Sequence, residues 1–296
     1  MATPLLSGSG VALVTPFLPD LSIDWAAFDR LLAYVGPGSD FAVVAGTTGE
    51  SATLRPGEKN ALLQAVRKHP AWAGKPIVLG LGGNNTEELL AEIAATDFAG
   101  VTAILSVTPY YSKPSTRGLI AHYQTLADAS PVPVILYNVP GRTGVNLGVS
   151  AVETLAKHPN IAGLKEASAD IMQWQHQKLR VPADFALLAG DDGLAPAMLM
   201  LGGHGVIGVM GNVLPQLFGN MIRAYLQGHT EDGWALHSLY LNPNLNDMLY
   251  AEGNPVGIKA ALEATGICVA TVRPPLAEAS PELKATLAGM LKDVKA

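Results

Sequence analysis

The stretch IAGLKEAS, Ile161 to Ser168, runs apolar and small into a single lysine, Lys165, and turns polar at once with Glu166 and Ser168. A short run of this composition reads as a buried strand that ends where the polar residues begin. Of the eleven lysines in the chain, Lys165 is the only one inside such a run. An ammonium is costly to bury. Lys165 is therefore paired with a carboxylate such as Glu166, or reaches solvent from the strand end, or is held partly neutral for chemistry.

Seven more runs of the same kind flank it. Upstream are VALVTPF (Val11 to Phe17), FAVVAG from Phe41, PIVLGLG from Pro76, AILSV from Ala103 and VPVILYNV from Val132; downstream are FALLAGD from Phe185 and GHGVIGVM from Gly203. Helix-like segments separate them. Asp24 is placed to cap a helix through Tyr34, with Trp25, Phe28, Leu31 and Leu32 at helical spacing. Pro56 opens a second helix in its first turn. Thr86 is placed to cap a third, with Glu87 and Glu88 where the helix dipole favours them. Eight near-continuous apolar strands with helices between them imply parallel strands covered on their outer face. A doubly wound open sheet satisfies the same pattern. The count of eight and the length of 296 residues favour an α/β fold of the (β/α)8 barrel type, with its active site at the C-terminal ends of the strands. After Gly228 no strand-like run remains, so residues 1–228 read as the barrel and 229–296 as a C-terminal helical domain appended to it.

Composition narrows the setting. Hydrophobic residues make up 49% of the chain and charged residues 15%, which suits a large core, and a net charge of −6 leaves no basic footprint for nucleic acid. One cysteine, Cys268, excludes an internal disulfide framework and a multi-cysteine metal site. No stretch of about 18 uninterrupted apolar residues is present, and the N-terminus lacks the pattern of a secretory leader. The expectation is a cytoplasmic protein with no membrane or nucleic-acid partner.

If the fold is a barrel, the strand exits hold the chemistry. They carry Gly46-Thr47-Thr48-Gly49-Glu50-Ser51, Thr108-Pro109-Tyr110-Tyr111, Tyr137 through Gly144 with Arg142, then Lys165, Gly190-Asp191-Asp192, and Ile207 with Gly208. This is one amine with hydroxyls, phenols, a guanidinium and backbone amides, and no cluster with metal-ligand spacing. A lysine at a strand end can attack a ketone to form a Schiff base, an electron sink for making and breaking carbon–carbon bonds. Tyrosine and threonine hydroxyls can pass protons, and the planar fork of Arg142 can hold a carboxylate. Each element also has a plainer reading. Thr47 and Thr48 can belong to an ordinary βα turn, Arg142 to a surface ion pair, and Tyr110 and Tyr111 to a subunit contact. The glycines from Gly80 to Gly83 match no phosphate-loop pattern. Asp191 and Asp192 lack further metal ligands, and His122, His176, His204 and His237 are assigned to packing or surface.

The stretches GTTGESATL (Gly46 to Leu54), TPYY (Thr108 to Tyr111), YNVPGRTG (Tyr137 to Gly144), GLKEAS (Gly163 to Ser168), GDD (Gly190 to Asp192) and GGHGVIGV (Gly202 to Val209) resemble the dihydrodipicolinate synthase family. The likeness extends in order from VALVTPF to NPVGIK at Asn254. It implies a class I pyruvate aldolase on a (β/α)8 barrel, usually a homotetramer, with no metal or organic cofactor. By matching position it implies that Lys165 forms the Schiff base with pyruvate and that Thr47, Tyr137 and Tyr111 form a proton relay, Tyr111 arriving from a neighbouring subunit. Thr48 would bind the pyruvate carboxylate, and Arg142 that of L-aspartate 4-semialdehyde. Gly190 and Ile207 match positions whose carbonyls face the site. The product would be hydroxy-tetrahydrodipicolinate, on the route to diaminopimelate and lysine.

Two positions depart from the pattern. Lysine-inhibited members tend to carry histidines where this chain has Pro56 and Lys59, although Ser51, Ala52, Asn84, Glu88 and Tyr110 are compatible with an allosteric lysine site. The added charge of Lys59 implies weak or absent feedback inhibition. Gly257 stands where many relatives have proline, with no mechanistic consequence. Two rival readings remain: another pyruvate aldolase, such as N-acetylneuraminate lyase or a keto-deoxy-sugar-acid aldolase, and an inactive ligand-sensing relative. Arg142 and the doubled threonine speak against the first, and the intact Lys165, Tyr137, Tyr111 and Thr47 against the second.

Overall fold

A computed structural model of the chain describes residues 3–241 and 244–295. Eight parallel strands close into a barrel in chain order: β1 (Gly8–Ala12), β2 (Phe41–Val44), β3 (Ile77–Gly80), β4 (Ala103–Val107), β5 (Val134–Asn138), β6 (Ile161–Glu166), β7 (Ala186–Ala189) and β8 (Gly205–Gly208). The last strand pairs with the first, Gly8 opposite Gly205, so no sheet edge is left open.

Strand side chains alternate between faces, and the apolar residues divide accordingly. In β2, Phe41 and Val43 fill the barrel interior while Ala42 and Val44 pack under the helices. The interior is fitted for volume: Gly10 stands opposite Phe41 in the register, and a Cβ there would come within 2.2 Å of the phenylalanine ring. Glycine on β1 thus makes room for a large side chain on β2, whose full burial contributes about 1.5–3 kcal/mol.

The outer helices begin near their expected positions, with two corrections, and the first strand with one. The first helix, Trp25–Val35, is capped by Asp24, whose carboxylate accepts the Ala27 N–H, and it buries Phe28, Leu31 and Leu32. β1 starts at Gly8 rather than Val11, and residues 13–17 already leave the strand. The helix expected from Pro56 runs Glu58–Lys68, with Gly57 at φ 86° ahead of it. The helix Thr86–Ala95 is capped by Asn85, which accepts the Glu87 N–H, while Thr86 Oγ1 lies 2.8 Å from His122 Nδ1.

Beyond β8 the described residues form helices only: Pro215–Leu226, Thr230–Leu241, Leu245–Tyr250, Val256–Ala264 and Pro281–Lys295. Among the described residues no helix is long and apolar enough to cross a membrane.

One irregularity positions the chemistry. In the β5–β6 pairing, Val134 faces Ile161 but Ile135 faces Gly163, so Ala162 is an extra residue. Ile161 and Leu164 pack outward and Ala162 inward, and a Cβ on Gly163 would meet Ala186 and Ile135 inside the barrel. Strict alternation would put Lys165 on the face of Ile161, toward the helices. The bulge shifts the phase by one and turns Lys165 into the barrel mouth.

Candidate active site

Lys165 and Tyr137 are direct partners across β5 and β6, and their side chains share the interior face. The lysine Nζ lies 4.5 Å from the centroid of the tyrosine ring. Lys165 is 6% exposed, and among the described residues it forms no ion pair. Glu166, the carboxylate adjacent in sequence, is on the opposite face. There it accepts from Asn138 Nδ2, Gln173 Nε2 and Gln177 Nε2, each at 3.0 Å, and from the Ser168 N–H at 2.8 Å. The pairing reading of Lys165 with Glu166 is thereby corrected. Glu166 instead anchors Asn138, whose Oδ1 accepts the Leu147 N–H and so fixes the loop that carries Arg142.

Above the lysine, at the C-terminal strand ends, is a cavity of about 190 Å³. Thr47, Thr48, Ser51, Tyr137, Arg142, Lys165 and Gly190 all border it. The β2 exit that supplies the threonines is tightly folded. The Glu50 N–H donates to the Thr47 carbonyl at 3.0 Å, Thr15 Oγ1 donates to the Gly49 carbonyl at 2.7 Å, and Ala45 and Glu50 adopt left-handed φ values of 54° and 56°. Arg142 sits in the single helical turn Pro140–Thr143 and donates from Nη2 to the Asn254 carbonyl at 3.3 Å, leaving the rest of its exposed fork at the mouth.

Two expected residues are not at the cavity wall. Ile207 is fully buried in the barrel interior below it. Tyr111 is 89% exposed, at a left-handed φ of 71°. Among the described residues no hydrogen bond joins Thr47, Tyr111 and Tyr137 within one chain. Beside the cavity lies a larger cleft of about 790 Å³, bordered by Ser51, Ala52, Pro56, Lys59, Tyr110 and Arg142. Lys59 is ion-paired there with Glu92. Asn84, just before the helix Thr86–Ala95, and Glu88, in its first turn, are exposed and do not line that cleft.

Three wall residues have no role assigned from the sequence, although Asp191 was expected at a strand exit. Asp191 borders the cavity, its Oδ1 tied to the N–H groups of Gly193 and Leu194. Tyr250 ends the helix Leu245–Tyr250, and Asn254 lies in the turn between it and the helix Val256–Ala264. Burial, and then the charges of Asp192 and Asp191, hold the Tyr250 phenol well above its ordinary pKa, so it stands there as a neutral O–H. Asn254 donates from Nδ2 to Thr48 Oγ1 at 3.0 Å, and its Oδ1 is buried without a partner. Only the NPVGIK segment hinted at this contribution. Asp192 faces away from solvent and braces the β8 exit by accepting the Val209 and Met210 N–H groups. Burial pushes its carboxyl up to about 6, with those N–H groups opposing. Among the described residues no cluster of three or more His, Cys, Asp or Glu could hold a metal ion. Of the histidines, His122 and His237 are buried, His204 Nδ1 accepts the Leu187 N–H, and His176 is exposed.

The site is thus a small pocket holding an unpaired amine, a phenol, two threonines and a guanidinium. The family model of the dihydrodipicolinate synthetase family matches residues 5–294 of this chain. The chain belongs to that family. A 4-hydroxy-tetrahydrodipicolinate synthase of Cytophaga hutchinsonii is 43% identical to this family member over 93% of this chain and 92% of its own length. Among solved structures, dihydrodipicolinate synthase from Aquifex aeolicus superposes with a TM-score of 0.92 at 36% identity, covering 98% of each chain. The lysine-bound enzyme from Cyanidioschyzon merolae gives 0.92 at 35%, covering 99% of each. The family fold agrees with the barrel and helical extension described above.

Proposed function

We propose that this family member is a 4-hydroxy-tetrahydrodipicolinate synthase, a lyase that condenses pyruvate with L-aspartate 4-semialdehyde without metal or organic cofactor. The observation that carries the reading is Lys165. It is a nearly buried amine with no carboxylate partner among the described residues, aimed by a bulge into a cavity sized for a small keto acid.

The Lys165 amine adds to the pyruvate C2 carbonyl, and loss of water leaves a Schiff base. The protonated imine withdraws electrons from C3, which gives up a proton and becomes the nucleophilic carbon of an enamine. That carbon attacks the aldehyde of the second substrate, whose oxygen takes a proton. The semialdehyde's own amine then attacks C2 and displaces Lys165, which closes the ring. Tyr137 and Thr47 move the protons, with Tyr111 completing the relay from another copy; its exposure supports a position at a subunit contact. Thr48 holds the pyruvate carboxylate, and Arg142, free at the mouth, holds that of the semialdehyde. Gly190 and Ile207 supply carbonyls near the lysine. The enzyme is a cytoplasmic homotetramer of the diaminopimelate and lysine pathway, built as a barrel to residue 228 and a helical domain from 229. Ser51, Ala52, Asn84, Glu88 and Tyr110 remain candidate positions of an effector site in which Lys59 opposes lysine.

Incubation with pyruvate and borohydride, followed by peptide mass spectrometry, tests the reading. A reduced pyruvate adduct on Lys165 is expected. Its absence sinks the Schiff base, and an adduct without turnover of aspartate semialdehyde reassigns the second substrate.

A further inference from the structure

Lys165 is not the most buried lysine of the chain. Lys259, in the helix Val256–Ala264, has no exposed surface, and its Nζ donates to Glu50 Oε1 at 2.5 Å and to the Thr271 carbonyl at 2.8 Å. The second Glu50 oxygen accepts the Arg273 N–H at 2.8 Å. The Arg273 guanidinium in turn holds both oxygens of Glu58 and the carbonyls of Leu21 and Thr53. Both cations lie over the ring of Phe17, Lys259 Nζ at 4.2 Å and Arg273 Cζ at 4.1 Å from its centroid.

A buried ion pair is a poor means of gaining stability, because removing both charges from water offsets much of their attraction. Its distinguishing property is direction. Glu50 stands two residues after Thr48 and three after Thr47, in a left-handed conformation that a non-glycine residue adopts only when its surroundings impose it. Both of its carboxylate oxygens are committed to the C-terminal segment. Five residues ahead of Lys259, Asn254 donates to Thr48 Oγ1. One stretch of chain, Asn254 to Lys259, therefore grips the β2 exit at two points, Thr48 and Glu50. With Asn254 donating to its oxygen, the Thr48 hydroxyl is left to donate its own proton elsewhere, and Thr48 borders the cavity.

We propose that the Glu50–Lys259 ion pair is a positioning device, through which the C-terminal helices set the Thr47–Thr48 turn for the pyruvate carboxylate. This rests on the assignment of Thr48 under the proposed function. The pair touches no substrate; it acts through the turn. Lys259→Met leaves Glu50 without its cation, and Glu50→Gln replaces the carboxylate with an amide of the same shape that pairs poorly with an ammonium. Phe17→Leu removes the ring beneath both cations and leaves every charge in place.

The test compares, for each variant, the KM for pyruvate, the rate of borohydride-trapped adduct formation, the KM for the semialdehyde, and the melting temperature. In Lys259→Met and Glu50→Gln the pyruvate KM is expected to rise at least tenfold and trapping at fixed pyruvate to slow in step, while the semialdehyde KM stays within twofold. Phe17→Leu is expected to move the same two quantities about threefold. Folded variants that melt earlier but keep the wild-type pyruvate KM overturn the proposal and leave the pair as mere scaffolding. If Lys259→Met and Glu50→Gln do not fold, Phe17→Leu decides alone by the same criterion. Trapping on wild-type Lys165, run alongside, tests the proposed function separately.

Discussion

Replacing Gly190 with alanine tests how closely the Lys165 side chain is held. A Cβ at Gly190 would stand 3.0 Å from Lys165 Cε, 2.7 Å from Ala167 Cβ and 3.0 Å from the Glu166 carbonyl. Ordinary carbon contacts lie near 3.5–4.0 Å. The lysine and the end of β6 must therefore retreat by roughly half an ångström to one ångström. Gly190 is also hydrogen-bonded through its N–H to the Glu166 carbonyl at 2.8 Å, so β7 cannot simply move aside. Overpacking of this kind costs about 1–3 kcal/mol of stability. A misplacement of about 1 Å at a reacting group costs up to about 10²-fold in rate. The expected result for Gly190→Ala is a fall in kcat/KM for pyruvate of about 10- to 100-fold, or roughly 1.4–2.7 kcal/mol of transition-state stabilisation. Adduct trapping on Lys165 should slow by a similar factor. Gly141→Ala is the control: its added Cβ has nothing within 4 Å, and its kinetics should be unchanged. Initial rates, single-turnover trapping and denaturant unfolding supply the numbers. If Gly190→Ala traps pyruvate at the wild-type rate, the reasoning is wrong, whatever happens to overall turnover.

Three further predictions concern other parts of the site and its supports. Arg142→Ala should keep adduct formation but lower kcat/KM for aspartate semialdehyde by about 10- to 100-fold, the worth of a charge-assisted hydrogen bond; equal loss of trapping would make Arg142 structural. Millimolar L-lysine should inhibit initial rates weakly or not at all, because Lys59 adds an ammonium to the cleft beside the active site; strong inhibition would refute this. His237, wedged edge-on between Trp234 and Tyr240 with both ring nitrogens unpartnered, is pushed down to about 4 by burial. The unfolded chain then takes the proton first, so the stability from a neutral His237 is complete above about 6.5 and is lost as pH falls toward about 4. Urea midpoints of His237→Phe should fall less than wild type between pH 7 and pH 5; parallel slopes would count against this account.

The barrel was legible because a parallel strand buried on both faces leaves a near-continuous apolar run, and eight such runs are hard to mistake. The start of β1 was not, because Gly8, Ser9 and Gly10 carry too little apolar surface to mark it. Thr47, Thr48, Tyr137, Arg142 and Lys165 were legible as cavity-lining residues because each sits at or shortly after the end of a recognisable strand. Asn254 and Tyr250 were missed because they reach the cavity from a helix end and the turn after it, some two hundred residues beyond β2. Lys259 was missed for a related reason: no local pattern distinguishes a fully buried helical lysine from an exposed one, since its partner Glu50 lies 209 residues away. Two lysines thus met the cost of burial in different ways. Lys259 took a carboxylate, and among the described residues Lys165 has none.

The extra residue at Ala162 bears on how this strand could be reused. A protein engineer who transplanted IAGLKEAS into a regular barrel strand, matching residue for residue from its first position, would obtain a lysine aimed at the surrounding helices. Deleting Ala162 here should instead leave Lys165 facing the barrel, because Gly163, Leu164 and Lys165 already pair in regular register with β5. The capacity for amine chemistry in this barrel is then as much a property of strand phase as of residue identity.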